Sequence, residues 1–391
     1  MKLIRTIASV GIGAFCIERF IDEQSGWSNF LVVYDCGKGR SKNTSKPLKK
    51  IIDQDLRVYN KTVDFLFLSH FDSDHINGLS YLISQGIVNS TDTRVFLPLI
   101  QTPYIFLYEY INNLHFIDAV NLLKQHSIKV VFVNPDRNFV EEPMMIREEG
   151  SQEPEIISFA DRIESYTRLN LPKSVKPLWK YVPFYLQNNG IYKAFLSYIS
   201  HNNPYGITQR DFKNFLQWSE SQKNWLRNRY KNFRYSKNRH SKEVSPINMN
   251  AMLLISDKSE CANILRTSIQ YTDFQGVSNT SNQLECSVLY TSDVGLNDQK
   301  YFNRVNFAIQ NYIVGQRAGL FQIPHHASIH CYNSNTFRKL PFDMAFCNCK
   351  KSSINPSYCS QYENDAMQSG IPYAIVDDNP TNVLEEEILI R

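Results

Sequence analysis

Three polar clusters in this chain each follow a short apolar run, and that arrangement limits the fold more than any other feature of the sequence. Val63 to Leu68 leads into Ser69-His70-Phe71-Asp72-Ser73-Asp74-His75. Cys286 to Thr291 leads into Ser292-Asp293, and Gly319 to Ile323 leads into Pro324-His325-His326. Runs this short and this apolar suit strands covered on both faces. In layered α/β folds, strand ends are where a rigid scaffold presents reactive side chains.

The surrounding sequence extends the pattern. Residues 3 to 36 alternate apolar runs with turn residues, which predicts consecutive antiparallel strands ending at Asp35-Cys36-Gly37. Leu79 to Ile83 has helical spacing, and Val95 to Pro98 predicts another strand. From 101 to 245 the character changes to helix-like, aromatic-rich stretches, such as Tyr104 to Phe116 and Trp179 to Ser200, with acidic and basic patches between them. The expectation is a mainly helical insertion over 101–245, dividing one domain into halves at 1–100 and 246–391. Strand-like sequence returns at Ala251 to Ser256, Met344 to Phe346 and Tyr373 to Val376.

A chain of 391 residues with 42% hydrophobic and 13% aromatic content buries a substantial core. A net charge of +4 is too small to imply a polyanionic partner for the molecule as a whole. The eight cysteines form neither a C-x-x-C zinc site nor a disulfide framework, so reduced thiols in a cytoplasm are expected. Glu18 and Arg19 directly follow the apolar stretch from Ile7 to Ile17, which reads as a strand rather than a leader. No run reaches membrane-spanning length, and no membrane partner is expected.

His70 and Asp72 have the period-two spacing that points side chains one way from extended backbone. Asp74 and His75 are adjacent and can diverge toward a second ion. A lone histidine after a strand is usually structural, and a lone aspartate is usually a turn or cap residue. Four candidate ligands within six residues, followed by strand-terminal Asp293 and His325-His326, shift the reading to a metal site. Imidazole and carboxylate suit zinc and harder divalent ions, and a carboxylate such as Asp293 can bridge two of them.

Leu68-Ser69-His70-Phe71-Asp72-Ser73-Asp74-His75 resembles the H-x-[HD]-x-D-H signature of metallo-β-lactamase-fold hydrolases. Aspartate in the second position, with Pro324-His325-His326-Ala327-Ser328, is similar to the branch containing the hydrolase domain of the DNA-uptake protein ComEC. Tyr290-Thr291-Ser292-Asp293 is similar to that branch's strand ending in T-G-D. Val10-Gly11-Ile12-Gly13, Asp35-Cys36-Gly37 and Asn248-Met249-Asn250 add further likeness. The resemblance implies an α/β, four-layer αββα sandwich and two divalent ions, zinc first and manganese as an alternative. One ion would be held by His70, Asp72 and Asp293, the other by Asp74, His75, Asp293 and one of His325 or His326. Asp74, His75, His325 and His326 would carry catalysis, with a metal-bridged hydroxide as nucleophile. Three residues depart from the pattern: Ala14 stands for aspartate, and Ser292 and Ala327 stand for glycine.

Arg210 to Lys242 is rich in cations and aromatics. Lys223, Arg227, Arg229, Lys231, Arg234 and Tyr235 are candidate nucleic-acid contacts, because cations neutralise phosphates and aromatics stack bases. A solvated basic helix whose aromatics pack on the domain explains the same pattern. The expected function is a phosphodiesterase or nuclease acting on nucleic acid, DNA ahead of RNA. The alternatives are the same centre acting on a small phosphodiester or ester, such as a cyclic nucleotide, and a non-catalytic nucleic-acid-binding module.

Overall fold

Alternation along each strand decides which side chains face which layer. The computed structural model describes residues 1–39, 43–56, 62–100, 115–139, 159–187, 195, 197–200, 203–208, 211, 217–238, 251–273, 276–281, 285–349, 358–379 and 382–391. Its strands are β1 (Lys2–Ile7), β2 (Cys16–Ile21), β3 (Ser28–Tyr34), β4 (Phe65–Phe67), β5 (Arg94–Pro98), β6 (Lys129–Val133), β7 (Asp161–Ile163) and β8 (Trp179–Leu186). They continue with β9 (Ala251–Lys258), β10 (Ile264–Asp273), β11 (Gly276–Ser281), β12 (Val288–Tyr290), β13 (Ala318–Gln322), β14 (Phe342–Asn348), β15 (Tyr373–Val376) and β16 (Leu384–Ile390).

Two sheets result. The first has the order β11-β10-β16-β1-β2-β3-β4-β5-β6-β7, and the second β15-β14-β13-β12-β9-β8. β3 to β7 pair in parallel, as do β12 to β15, so each half carries its own parallel block. Phe65 and Phe67 of β4 face the second sheet, whereas Leu66 faces the helices outside. On β12, Val288 and Tyr290 likewise meet the first sheet, and Leu289 turns outward. Burying each such large apolar side chain contributes about 1.5–3 kcal/mol.

Helices cover both outer faces. α1 (Lys46–Asp55), α2 (Ser73–Ile76), α3 (Leu79–Ser84), α4 (Phe116–Gln125) and α5 (Glu220–Asn238) fall in the first half of the fold. Leu48, Leu82, Val120 and Leu226 bring α1, α3, α4 and α5 onto the outer face of the first sheet. α6 (Gln299–Tyr312), α7 (Thr336–Lys339) and α8 (Gln361–Ser369) cover the second sheet through Val305, Phe337 and Tyr362. The architecture is the α/β, four-layer αββα sandwich expected from the sequence.

The span 101–245 contributes more than helix. Lys129–Val133 and Asp161–Ile163 extend the first sheet, and Trp179–Leu186 pairs along its whole length with β9. Trp179–Leu186, expected as helix, is a strand because every residue of it is buried between neighbouring layers; β-branched and aromatic side chains fit such a surface. Of the other stretch expected as helix, 104–116, residues 104–114 lie outside the described residues. Outside that span, three further strands were not anticipated: β10, β11 and β16. Leu384, Glu386, Ile388 and Ile390 alternate inward along β16, and the run of three glutamates conceals that period.

Between the sheets lies a buried ionic group. Arg5 of β1 pairs with Glu18 of β2 and Glu386 of β16. Glu18 also accepts hydrogen bonds from Tyr181, Ser256 and Tyr290 of the second sheet, so one carboxylate ties the layers together. All eight cysteines are free thiols. Among the described residues, no helix is long and apolar enough to cross a membrane.

Candidate metal centre

The three polar clusters expected from the sequence meet at one end of the sandwich, outside the carboxyl ends of β4, β12 and β13. After β4 the chain stays extended through Asp72 and then turns into α2, which carries Asp74 and His75. Asp72 stands at the N-cap position of that helix, but its carboxylate makes no capping bond to it. Gly37 lets the preceding loop pass under α2: a Cβ there would lie 2.1 Å from the Asp74 carbonyl oxygen. Gln322 fastens the end of β12, accepting from the backbone N–H groups of Thr291 and Ser292 at 2.9 and 3.0 Å. The N–H of His325 donates to the Ser292 carbonyl at 2.9 Å, which sets the histidine pair beside Asp293.

Backbone strain concentrates here. Asp35, Ser292, His325, His326 and Ala327 all have φ between 51° and 57°. A left-handed conformation costs roughly 1–2 kcal/mol for a residue with a Cβ. Ser292 and Ala327, the two positions where glycine was expected from the resemblance, are both among them. Both residues thus stand where the backbone favours glycine.

Around Asp293 the side chains form two groups. Asp293 Oδ2 lies 3.6 Å from His70 Nε2 and 3.7 Å from His325 Nε2, and His70 Nε2 lies 3.7 Å from Asp72 Oδ2. Asp293 Oδ1 lies 3.4 Å from His75 Nε2. His326 Nε2 lies 3.3 Å from Asp74 Oδ2. One carboxylate thus offers one oxygen to each group. His70, His75 and Asp293, and separately Asp74, His75 and His326, bring ligand atoms within 4.8 Å of one another. The sequence suggested that one of His325 and His326 takes part; the structure places both imidazoles at the centre, on different sides.

The donor set fits a pair of divalent ions. His70 Nε2, His75 Nε2, His326 Nε2 and Asp293 Oδ1 are buried and have no hydrogen-bond partner. Orphaned polar atoms are costly, at about 1–3 kcal/mol each, and four of them facing one space call for a ligand. Electrostatics agree. Burial alone would raise the Asp293 carboxyl, but His325 and His75 hold it well below the usual range. Burial likewise opposes ionisation of Asp74, yet His326 and His75 pull it down to about 2. Burial disfavours charge on His75, and the carboxylates of Asp293 and Asp35 overcome it, raising His75 well above its ordinary value. Burial dominates at His325 and lowers it, whereas Asp74 outweighs burial at His326 and raises it.

Each imidazole is held by its other nitrogen. His75 Nδ1 donates to Asp35 Oδ2 at 2.8 Å, and His326 Nδ1 to the Asn348 carbonyl at 2.9 Å. His325 Nδ1 lies 3.2 Å from Cys331 Sγ, and His70 Nδ1 lies 3.0 Å from both the Ser69 and Ser292 hydroxyls. Such partners fix the ring orientation and aim Nε2 inward. Asp35, Ser69, Cys331 and Asn348 were not singled out as site residues from the sequence. Asp35 had a signal in Asp35-Cys36-Gly37; Asn348 acts through its backbone and had none.

The candidate nucleic-acid residues lie on α5. Lys223 is buried and pairs with Glu220 at 3.1 Å, and Arg227 donates to Asn224 at 3.0 Å. Arg229 lies over the rings of Tyr198 and Trp225 at 5.6 and 6.0 Å. Tyr230 and Phe233 are buried in the core and are not available to stack bases. The side chains of Lys231, Arg234 and Tyr235 lie outside the described residues.

Fold and site together define a class: an αββα sandwich with a paired histidine–carboxylate centre at its strand ends. No protein-family model matches the chain, and no curated protein matches it. Among solved structures it is similar to a long form of RNase Z from yeast, at 11% identity and a TM-score of 0.36, over 97% of this chain and 45% of that one. It is also similar to unliganded yeast PDE1, at 8% identity and a TM-score of 0.41, over 100% of both chains. The chain thus spans less than half the length of the RNase Z chain.

Proposed function

We propose that this chain is a metal-dependent hydrolase of the metallo-β-lactamase type, acting on phosphodiesters. The observation that carries the reading is the convergence of four imidazole Nε2 atoms on the two oxygens of Asp293 and the carboxylates of Asp72 and Asp74. His70, Asp72, Asp293 and His325 would hold one ion, and Asp74, His75, His326 and Asp293 the other. Bound divalent ions lower the pKa of coordinated water and stabilise attacking and leaving oxygens, which suits phosphodiester hydrolysis. The chain's own part is to keep Asp74 and Asp293 ionised and to hold each imidazole by Nδ1. Asp293, with one oxygen on each side, would keep the two ions in register.

Nucleic acid is the first substrate class, supported by the cationic sequence of α5. A small phosphodiester is the second, favoured by the burial of Tyr230 and Phe233. The deciding experiment incubates the protein with single- and double-stranded DNA and RNA, and with a small chromogenic phosphodiester, in zinc or manganese. A variant carrying Asp74→Ala and His75→Ala runs beside it. Loss of turnover in the variant supports the centre, and equal turnover rejects it. Salt-sensitive affinity for a polynucleotide separates the first substrate class from the second.

A further inference from the structure

We infer that the Ser69 and Ser292 hydroxyls, anchored on Asp35, are positioning groups that hold His70 as its Nδ1–H tautomer. The argument is a count of protons. Asp35 is an acceptor at both oxygens: Oδ1 takes the Ser69 backbone N–H at 2.7 Å, and Oδ2 takes the Ser69 hydroxyl at 2.7 Å and His75 Nδ1–H at 2.8 Å. A hydroxyl has one proton, so the Ser69 oxygen is left as an acceptor toward everything else. Ser292 gives its own single proton to that oxygen at 2.6 Å. Both oxygens are then acceptors where they face His70 Nδ1, each at 3.0 Å. The imidazole proton must therefore sit on Nδ1, which leaves Nε2 with its lone pair toward Asp72 and Asp293.

The chain runs in one direction, from His70 through the two hydroxyls to Asp35, and joins residues 223 apart in sequence. All of it is buried: Asp35 and Ser69 have no exposed surface, and Ser292 has 2%. It also gives a reason for serine at a position with φ of 51°, where glycine would be unstrained. A glycine would relieve the backbone but remove one acceptor from His70 and the proton that polarises Ser69. Asp35 thereby governs two histidines, His75 by contact and His70 at one remove. The consequence for ion binding rests on the metal-centre reading; the tautomer does not.

The test is a long-range ¹H–¹⁵N spectrum of metal-free, histidine-labelled protein at mildly alkaline pH, with His70 identified by its loss in His70→Gln. The parent is expected to show the Nδ1–H pattern at His70. In Ser69→Ala the freed Ser292 hydroxyl can donate to Nδ1, so the pattern should reverse, and zinc affinity should fall about 10–100-fold. Ser69→Thr keeps a hydroxyl and should restore both, which a purely structural role for the serine would not require. Ser292→Gly should keep the tautomer, because the Ser69 oxygen still accepts. An Nε2–H pattern in the parent, or an unchanged pattern in Ser69→Ala, overturns the proposal. Failure of the parent to take up zinc would instead count against the metal centre and leave the tautomer result standing.

Discussion

Replacing Asp35 by asparagine removes one charge and no heavy atom, and its effect can be worked out from three hydrogen bonds. Oδ1 accepts the Ser69 N–H, a donor fixed by the backbone, and Oδ2 accepts from the Ser69 hydroxyl and His75 Nδ1. An amide in this place has one acceptor oxygen and one NH₂ group. If the oxygen stays on the Ser69 N–H, the NH₂ faces His75 Nδ1–H; flipped, the NH₂ faces the Ser69 N–H instead. Either orientation sets donor against donor in a site with no exposed surface. Binding an ion through Nε2 requires His75 to keep its one remaining proton on Nδ1, and the amide in neither orientation supports that form as the carboxylate does. A hydrogen bond to a charged group contributes about 1.5–3 kcal/mol, so binding an ion through Nε2 should weaken by about 10–100-fold. The measurement is zinc titration of metal-free protein against a chromophoric chelator, with circular dichroism to show that the fold is retained. A folded Asp35→Asn protein whose zinc affinity stays within about twofold of the parent would refute the reasoning.

Zinc at about 100 times its dissociation constant should stabilise the parent by about 2.7 kcal/mol, seen as a higher Tm that a chelator reverses. Asp293→Asn should abolish that shift, and a full shift in this variant would remove Asp293 from the centre. A third prediction concerns Glu386, whose carboxyl is pushed up to about 7 by burial, with Arg5 opposing and Glu18 adding to the rise. A raised carboxyl stabilises the fold below the unfolded value of 4.5 and loses that contribution as pH climbs through about 7. Parent stability should therefore fall by about 3 kcal/mol across that window, and Glu386→Gln should flatten the loss in urea unfolding; an equally steep profile in the variant refutes it. At Ala327, with φ of 57°, Ala327→Gly trades relief of strain against a buried methyl and should change stability by less than about 1 kcal/mol. Ala327→Val puts a β-branched residue there and should cost about 2 kcal/mol or more, so equal stability of the two variants would contradict the strain argument.

The candidate ligands are more legible in the sequence than the frame that aims them. His70, Asp72, Asp74, His75, Asp293 and the histidine pair are dense, chemically unusual residues at the ends of apolar runs, and such a pattern survives in one dimension. That Asp293 places one oxygen on each side is a matter of three dimensions, as is the division of His325 from His326. The anchors are harder still. Asn348 holds His326 through a backbone carbonyl, which any residue could supply, and Ser69 reads as one more small polar residue until its partners are known. The same limit explains the strands. Trp179–Leu186 has no alternation because both its faces are buried, so periodicity could not tell it from a buried helix.

Burial of charge behaves differently around Arg5 and at the strand-end centre. In the core, Arg5 faces two carboxylates, Glu18 and Glu386, and the surplus is relieved by a proton that Glu386 keeps up to about 7. At the strand ends, Asp74 and Asp293 stay ionised in surroundings almost as dry, because several imidazoles face them and His75 and His326, both raised, hold protons in their place. The core group has Tyr181, Tyr290 and Ser256 to complete the hydrogen bonds of Glu18 and leaves one oxygen, Glu386 Oε1, without a partner. The other group leaves three imidazole nitrogens and a carboxylate oxygen unpaired. Since an unpaired buried polar atom destabilises the fold, a site that gathers four of them at strained backbone is built for something that binds there. Ionised carboxylates select a cation for that role, and imidazole Nε2 atoms narrow it to a metal ion that accepts nitrogen as well as oxygen.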